Sequence, residues 1–305
     1  MKAFIGITDG DWYRHLAAKP DLDEANFWKP GGKTTFKAVE PGGLFLFKLH
    51  APHHYIVGGG HFAHFSIVPL YLAWEAFGEA NGAVTRAEMH ARIAKYRRDD
   101  PGPNPDIGCI LLTQTFFLPE NQWIPAPADW PRNTVQGKTY NLTVGEGARL
   151  HEQLQLARRD GALLATEAPD QHPGWGPERL VRQRLGQRSF RILVTDTYGR
   201  RCAVTGERTL PALEAAHIKE FASGGPHAAD NGLLLRRDLH ALYDSGYLTF
   251  TPDHHIEVSG KIREEFENGR DYYAKHGELL RLPDRPDLRP NPEYLRWHND
   301  HRYLG

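Results

Sequence analysis

Over roughly the first 140 residues, short apolar runs alternate with stretches of helical spacing, the pattern of a mixed strand and helix domain. Lys2 to Ile7 reads as a strand, as does Gly43 to His50. His54 to Val57 reads as a third, ending at Gly58-Gly59-Gly60, and Cys109 to Phe117 as a fourth. Ser66 to Phe77 and Thr85 to Arg98 have helical spacing, and Thr85 followed three positions later by Glu88 has the form of a capping box. The stretch from Arg98 to Pro105 holds three prolines and is expected to be a loop, since proline cannot serve a strand ladder.

Further along, Gly145 to Arg159 reads as a polar helix and Glu167 to Gly174 as a linker. This predicts a first domain over 1–145, a helix and linker over 146–177, and a second domain over 178–305. Arg179 to Tyr198 is a helical stretch whose apolar positions include Leu180, Leu185, Phe190, Leu193 and Val194. Beyond it, Arg201 to Gly206 and Leu213 to Ile218 read as two strands. A loop containing Gly224-Gly225-Pro226 follows, then Asn231-Gly232-Leu233-Leu234-Leu235 and a helix from Asp238 to Asp244.

Composition narrows the picture only a little. Apolar residues make up 40% of the 305 and charged residues 25%, an ordinary globular balance. A net charge of −1 neither favours nor excludes a polyanion partner, because a local basic surface can hide in the sum. One such block exists. Between Pro177 and Arg201 there are seven arginines against two acids, and Arg182, Arg184, Arg188, Arg200 and Arg201 are candidates for contact with a DNA backbone. The two cysteines, Cys109 and Cys202, form no Cys-x-x-Cys pair, which excludes a zinc ribbon. Asp9 and Asp11 interrupt the start before an apolar signal region could form, and no run approaches the ~20 apolar residues of a membrane span. The expectation is a soluble, cytoplasmic protein with no membrane partner.

The most informative wording is Ala215-Ala216-His217-Ile218, then Asn231-Gly232-Leu233, then His240-Ala241-Leu242-Tyr243-Asp244. Here the sequence resembles the HNH endonucleases, in the branch found in bacterial modification-dependent restriction enzymes. His217, Asn231 and His240 stand in the signature order, 14 and then 9 positions apart. The resemblance implies a ββα-metal core and metal-dependent hydrolysis of phosphodiester bonds. A neutral imidazole suits the general base that takes a proton from water, which is the role implied for His217 at the end of the second strand. A divalent cation suits the charge that grows on the phosphate and leaving oxygens. His240 would ligate it, with Asp244 one helical turn on as a second ligand, while Asn231 would tie the loop together. Magnesium or manganese is expected, and cobalt or nickel would also suit imidazole. One departure is Ala216, where many members of the family carry a ligand; Glu214, on the same side of the strand, is the candidate substitute.

The first domain resembles, more loosely, the PUA-like superfamily that includes EVE, YTH and SRA modules. The words carrying this are Ile7-Thr8-Asp9, Asp11-Trp12-Tyr13, Asn26-Phe27-Trp28-Lys29-Pro30, and Phe36 to Phe47. The implied fold class is α+β: a PUA-like curved β-barrel with flanking helices, followed by the ββα-metal nuclease domain. Several such modules bind a modified base in an aromatic pocket, which requires the base to leave the stack. Trp12, Phe27, Trp28 and Trp74 are candidate walls, with Asn26, Asp11 and Lys29 as polar neighbours. Trp28 is expected on a loop, whereas Trp12 and Trp74 sit on helical patterns where burial is the ordinary explanation. His50, His53, His54, His61 and His64 lack an accompanying acid or cysteine at ligand spacing and are read as strand-end and loop residues.

Together these readings predict a modification-dependent DNA restriction endonuclease. Its partner would be double-stranded DNA carrying 5-methylcytosine or 5-hydroxymethylcytosine. A single ββα site cuts one strand, so a homodimer is expected for a double-strand break. Two rivals remain from the residues alone: a nuclease reading sequence, shape or RNA without modification, and a catalytically silent DNA-binding protein.

Overall fold

A computed structural model describes residues 1–19, 21–97, 99–131, 133–164 and 186–305, with the side chains of 158–164 left out of the description. The linker expected at Glu167 to Gly174, the beginning of the helical stretch at Arg179, and Arg182 and Arg184 lie outside the described residues. Two compact units divide the chain, Met1–Gln183 and Arg184–Gly305.

Unit 1 runs β1 (Lys2–Thr8), α1 (Gly10–Ala17), β2 (Glu24–Lys29), β3 (Leu44–Leu49), β4 (Tyr55–Pro69), α2 (Leu70–Phe77), α3 (Arg86–Tyr96), β5 (Asp106–Phe117), β6 (Ile124–Pro125), β7 (Gly137–Asn141) and α4 (Gly145–Leu164). Its seven strands form one sheet in the order β2-β5-β4-β3-β1-β7, with β6 paired to β4. All neighbours are antiparallel except β1 and β3, where Ala3 aligns with Leu44 and Thr8 with Leu49.

The sheet is strongly curled. Three strand steps separate β2 from β3, about 14 Å in a flat sheet. Yet the Phe27 ring on β2 lies 4.8 Å from Phe45 and 6.1 Å from Phe47 on β3. Only a sheet bent round on itself brings those side chains together. Among the described strands β2 and β7 do not pair, so the curl closes no ring and the sheet does not form the expected barrel.

β4 carries register irregularities against both β3 and β5. The third strand was expected to stop at Gly58-Gly59-Gly60, but β4 runs straight through them to Pro69. A Cβ at Gly59 would sit 2.6 Å from the Phe45 carbonyl oxygen, so the glycines mark backbone approach rather than a strand end. The helix expected from Ser66 begins instead at Leu70. Ser66 to Pro69 stay in the ladder, facing Cys109 to Asp106 of β5, and strand pairing overrides the local helical spacing. α3 keeps its predicted start: Thr85 Oγ1 accepts from the Glu88 backbone N–H at 3.1 Å, and the Glu88 carboxylate reaches back to the Val84 N–H at 2.9 Å.

Unit 2 runs α5 (Gln187–Thr197), β8 (Leu213–His217), β9 (Gly232–Arg236), α6 (Arg237–Asp244), β10 (Leu248–Phe250), β11 (Ile256–Val258), α7 (Lys261–Phe266), α8 (Arg270–Tyr273) and α9 (Pro292–His301). β8 pairs antiparallel with β9, from Leu213 opposite Arg236 to His217 opposite Gly232. The two strands expected before the loop are therefore not the ββ pair. Residues 202–206 form turns, closed by Gly206 N–H on the Cys202 carbonyl, and the loop lies between the paired strands. His217 consequently ends the first strand of the pair. The apolar faces of α5, the hairpin and α6 meet in one core with Phe190, Val194, Ala216, Leu233, Leu235, Leu239 and Tyr243. Burial of this kind contributes roughly 25 cal/mol per Å² of apolar surface and holds the hairpin against the helix.

His298 on α9 packs against this core. It is 3% exposed and stacks on Tyr243 at 3.8 Å. Its Nε2 donates to the Tyr243 carbonyl at 3.1 Å and its Nδ1 faces Thr249 Oγ1 at 2.8 Å, a hydroxyl able to donate to the neutral ring. Burial pushes its pKa from 6.5 down to about 4. The unfolded chain then takes up this proton first as pH falls, so the contribution to stability is complete above pH 6.5 and is lost towards pH 4. From the shift, about 2 kcal/mol should be gone by pH 5. Denaturant titrations at pH 7.0 and 5.0 test this: His298→Gln should lose markedly less stability between the two than the wild-type chain, and equal losses would refute it. Among the described residues, no helix is long and apolar enough to cross a membrane.

Candidate active site and aromatic cavity

The hairpin and the helix behind it set out the chemistry of unit 2. His217 ends β8, Asn231 immediately precedes β9, and His240 and Asp244 lie one turn apart on α6. The three signature residues are brought to one end of the ββα unit, with distinct jobs visible in their contacts.

Asn231 is fully buried and its amide is used up on the intervening loop. The Lys219 N–H donates to Asn231 Oδ1 at 2.9 Å, while Nδ2 donates to the carbonyls of Lys219 at 2.9 Å and Pro226 at 2.8 Å. One side chain thereby ties the two ends of the loop together. The loop folds back so tightly that a Cβ at Gly225 would stand 1.8 Å from the Lys219 carbonyl oxygen, so only glycine fits there.

His217 is held flat against Phe190 of α5, with ring centroids 3.9 Å apart and planes 10° apart. Its Nε2 lies 2.8 Å from Nδ1 of His227. Its pKa falls from 6.5 to about 4, first because burial penalises the charged ring, then because His227 and His240 add positive potential when protonated. The imidazole is therefore neutral throughout the physiological range.

His240 is gripped on both edges. Glu214 Oε2 is 2.9 Å from Nδ1, and Asp244 Oδ2 is 3.3 Å from Nε2. The geometry divides the three expected ligands. Nδ1 and Nε2 diverge across the ring, so one ion cannot take both. At Nε2 the neighbouring Asp244 oxygen lies at a separation suited to two adjacent ligands, since donors ~2.1 Å from one ion and at right angles are about 3 Å apart. Glu214 stands on the opposite edge, where a carboxylate orients a ligating imidazole rather than sharing its metal. It also holds Arg237 at 3.1 Å. Glu214, the expected substitute for the family ligand at Ala216, thus faces the other edge of the His240 ring from Asp244; Ala216 itself is fully buried in the core. Among the described residues no cluster of three or more His, Cys, Asp or Glu is arranged around one point. One nitrogen and one carboxylate, the rest being water and phosphate, suit magnesium or manganese, which keep several water ligands.

Of the basic residues, Arg188 is exposed on α5, Arg200 is half-buried and Arg201 is exposed, both in the turn after it. His227 escaped the sequence reading, because nothing in Gly225-Pro226-His227 marks it among 17 histidines. Its place depends on a loop closure that no local pattern shows.

Unit 1 carries a cavity of about 400 Å³, within the range of roughly 300–1,000 Å³ usual for small-ligand pockets. Its lining includes Trp12, Phe27, Trp28 and Lys29 together with Phe4, Asp9, Phe36, His50, Tyr96 and Gln136. Trp28 is on β2 rather than the expected loop, opposite Cys109 of β5, and its Nε1 donates to the Asn81 carbonyl at 3.0 Å. Trp12 is buried and packs edge-on against Phe27 and Phe47, so it is a core residue with one side on the cavity.

Three expected members are elsewhere. Asn26 is buried with Nδ2 on Asn81 Oδ1 at 2.8 Å, because strand alternation turns it away from Phe27. Asp11 is exposed and paired with Arg14 at 2.6 Å, and Trp74 sits half-buried on α2. Tyr96 and Gln136 were missed, since they arrive from α3 and the approach to β7, far away in sequence. Lys29 Nζ donates to Thr34 Oγ1 at 2.8 Å, and burial holds its pKa below the usual lysine range. The histidine group scatters: His50 lines this cavity, His53 and His54 line a separate cleft with Trp130, and His61 meets the Gly42 carbonyl at 3.1 Å.

Residues 202–251 match the HNH endonuclease family. The segment covers the hairpin, the loop and α6, and makes unit 2 a nuclease, a phosphodiester hydrolase. Among solved structures, the chain is similar to the modification-dependent TagI restriction endonuclease, at 14% identity over 99% of this chain and 81% of that one, with a TM-score of 0.31. It is also similar to the type IV phosphorothioation-dependent restriction endonuclease ScoMcrA, at 13% identity over 78% of this chain and 49% of that one, with a TM-score of 0.21. Both scores are too low to establish a shared arrangement. No curated protein matches the chain.

Proposed function

We propose that this HNH nuclease is a modification-dependent DNA endonuclease of restriction type. The cavity of unit 1 receives a flipped cytosine carrying a 5-methyl or 5-hydroxymethyl group, and the ββα centre of unit 2 hydrolyses a phosphodiester bond. The observation that carries the reading is the aromatic cavity. Its flat walls, Trp12, Phe27, Trp28 and Phe36, suit a planar ring, while Asp9, Lys29 and Gln136 supply a carboxylate, a cation and an amide for its edge. The curled, open sheet supports a PUA-like module, though such a likeness alone does not name a ligand.

In unit 2, His217 takes the proton of the attacking water. His240 Nε2 and Asp244 hold a divalent cation, magnesium or manganese. When bound, the cation stabilises charge on the non-bridging and leaving oxygens. Glu214 fixes the His240 ring, and Asn231 fixes the loop that follows the base. Arg188, Arg200 and Arg201 contact the DNA backbone. A double-strand break takes two copies of the site, supplied by a homodimer.

The test is cleavage of matched plasmids carrying plain, 5-methylated or 5-hydroxymethylated cytosine, with Mg²⁺ or Mn²⁺. Cutting of a modified plasmid at least tenfold faster than the plain one is expected. Equal cutting of all three would keep the nuclease and sink the modified-base reader.

A further inference from the structure

The base in this centre has a second imidazole beside it, which the HNH signature does not include. The loop clamped by Asn231 returns His227 to the edge of His217, with Nε2 and Nδ1 2.8 Å apart and the ring planes at 61°. Each ring is covered by an aromatic neighbour. Phe190 stacks on His217, and Phe221 stacks on His227 with centroids 4.4 Å apart and planes 12° apart. Phe221 does so although 55% of its surface is exposed. The two imidazoles are thus fixed in place and in mutual orientation, with one nitrogen of each committed to the other.

A neutral imidazole has one donor nitrogen and one acceptor, so the contact admits two arrangements. If His227 donates from Nδ1, then His217 accepts at Nε2, carries its own hydrogen on Nδ1, and has no lone pair for water. If His217 donates from Nε2, its Nδ1 is the free base.

We propose that His227 is a positioning residue for the general base: its Nδ1 accepts the Nε2–H of His217 and leaves His217 Nδ1 to receive the water proton. The inference rests on the assignment of His217 as the base. In the step, a water O–H bond breaks and an N–H bond forms at His217 Nδ1. The imidazolium so formed keeps its Nε2–H directed at His227 Nδ1, and its Nδ1 proton is then given up to solvent, which restores the starting tautomer.

Two measurements on the full-length chain test this. The first needs no substrate: imidazole nitrogen NMR of the metal-free chain at neutral pH, in wild type, His227→Phe and His227→Asn. Wild-type His217 should be protonated at Nε2 and bare at Nδ1. His227→Phe, which keeps a ring but offers no acceptor, should lose that preference; His227→Asn, whose Oδ1 replaces Nδ1, should retain it. The second is hydrolysis of bis(p-nitrophenyl) phosphate with Mn²⁺, which bypasses any reader of modified DNA. His227→Phe should lower kcat about 10–100-fold with KM within about twofold, and His227→Asn should recover most of the loss. A His217 tautomer unchanged in His227→Phe overturns the proposal, as does an equal loss of kcat in both variants. Full activity of His227→Phe beside an inactive His217→Ala overturns this assignment alone, whereas an active His217→Ala removes the general-base reading with it.

Discussion

Replacing His217 by alanine is expected to lower cleavage 10²–10⁴-fold at saturating metal, the usual contribution of a positioned general base. DNA affinity should change little, because the half-buried ring is spent on Phe190 and His227 rather than displayed to a polyanion. The direction with pH follows from its environment. The neutral ring is the active form, so activity falls as pH falls through its pKa. With that value near 4 rather than 6.5, His217 alone places no acid limb close to pH 6.5. The same desolvation makes it a weaker base, and a phosphodiester bound alongside would draw its pKa upward by opposite charge. Steady-state cleavage by His217→Ala decides the point, with DNA binding measured in parallel. Activity above a tenth of wild type would mean that another group takes the water proton.

The second large effect belongs to Asn231, through the fold. Asn231→Leu keeps the branching and number of side-chain heavy atoms but leaves the Lys219 N–H and the carbonyls of Lys219 and Pro226 without their partner. Each unsatisfied group costs about 1–3 kcal/mol where water is excluded. The half-buried loop admits some water, so a total of about 3–5 kcal/mol is expected for unit 2. A melting point lower by roughly 10–20 °C follows for a domain of this size. Activity should fall with it even below the melting transition, because the same clamp places His227 beside His217. Asn231→Asp keeps the acceptor for Lys219 N–H but buries a carboxylate against two carbonyl oxygens, so it should melt no higher than Leu. Calorimetry of the three proteins checks the order, and a Leu variant melting within 3 °C of wild type would show that the clamp contributes little.

Much of the active centre was legible because its residues are tied to local elements. His240 and Asp244 share a helix face by their spacing alone, and the apolar runs flanking His217 and Asn231 mark strands that must be buried. Where the reading slipped, the cause was pairing. Arg201 to Gly206 has strand-like composition, but its neighbours in space leave it as turns, and β8 takes β9 as partner instead. Ser66 to Pro69 has helical spacing yet pairs along β5, whose ladder uses its backbone. Local propensity is worth tenths of a kcal/mol per residue, and a ladder with burial on both sides outweighs it.

The sequence by itself named the candidate residues of unit 2, His217, Asn231, His240 and Asp244, inside the segment that matches the HNH family. It also named four of the cavity residues in unit 1, Trp12, Phe27, Trp28 and Lys29. Only the tertiary structure decided how these groups are shared out. Glu214 went to Nδ1 of His240 and Asp244 to Nε2, a division invisible to spacing because it depends on which edge of a ring meets a neighbouring strand. Asn26 turned away from the cavity while Tyr96 and Gln136 joined it, and His227 came to the base across a closed loop. Periodicity reports which face of one element is apolar. It carries no record of which distant side chains that face will meet, and the division of labour in both sites lies in those meetings.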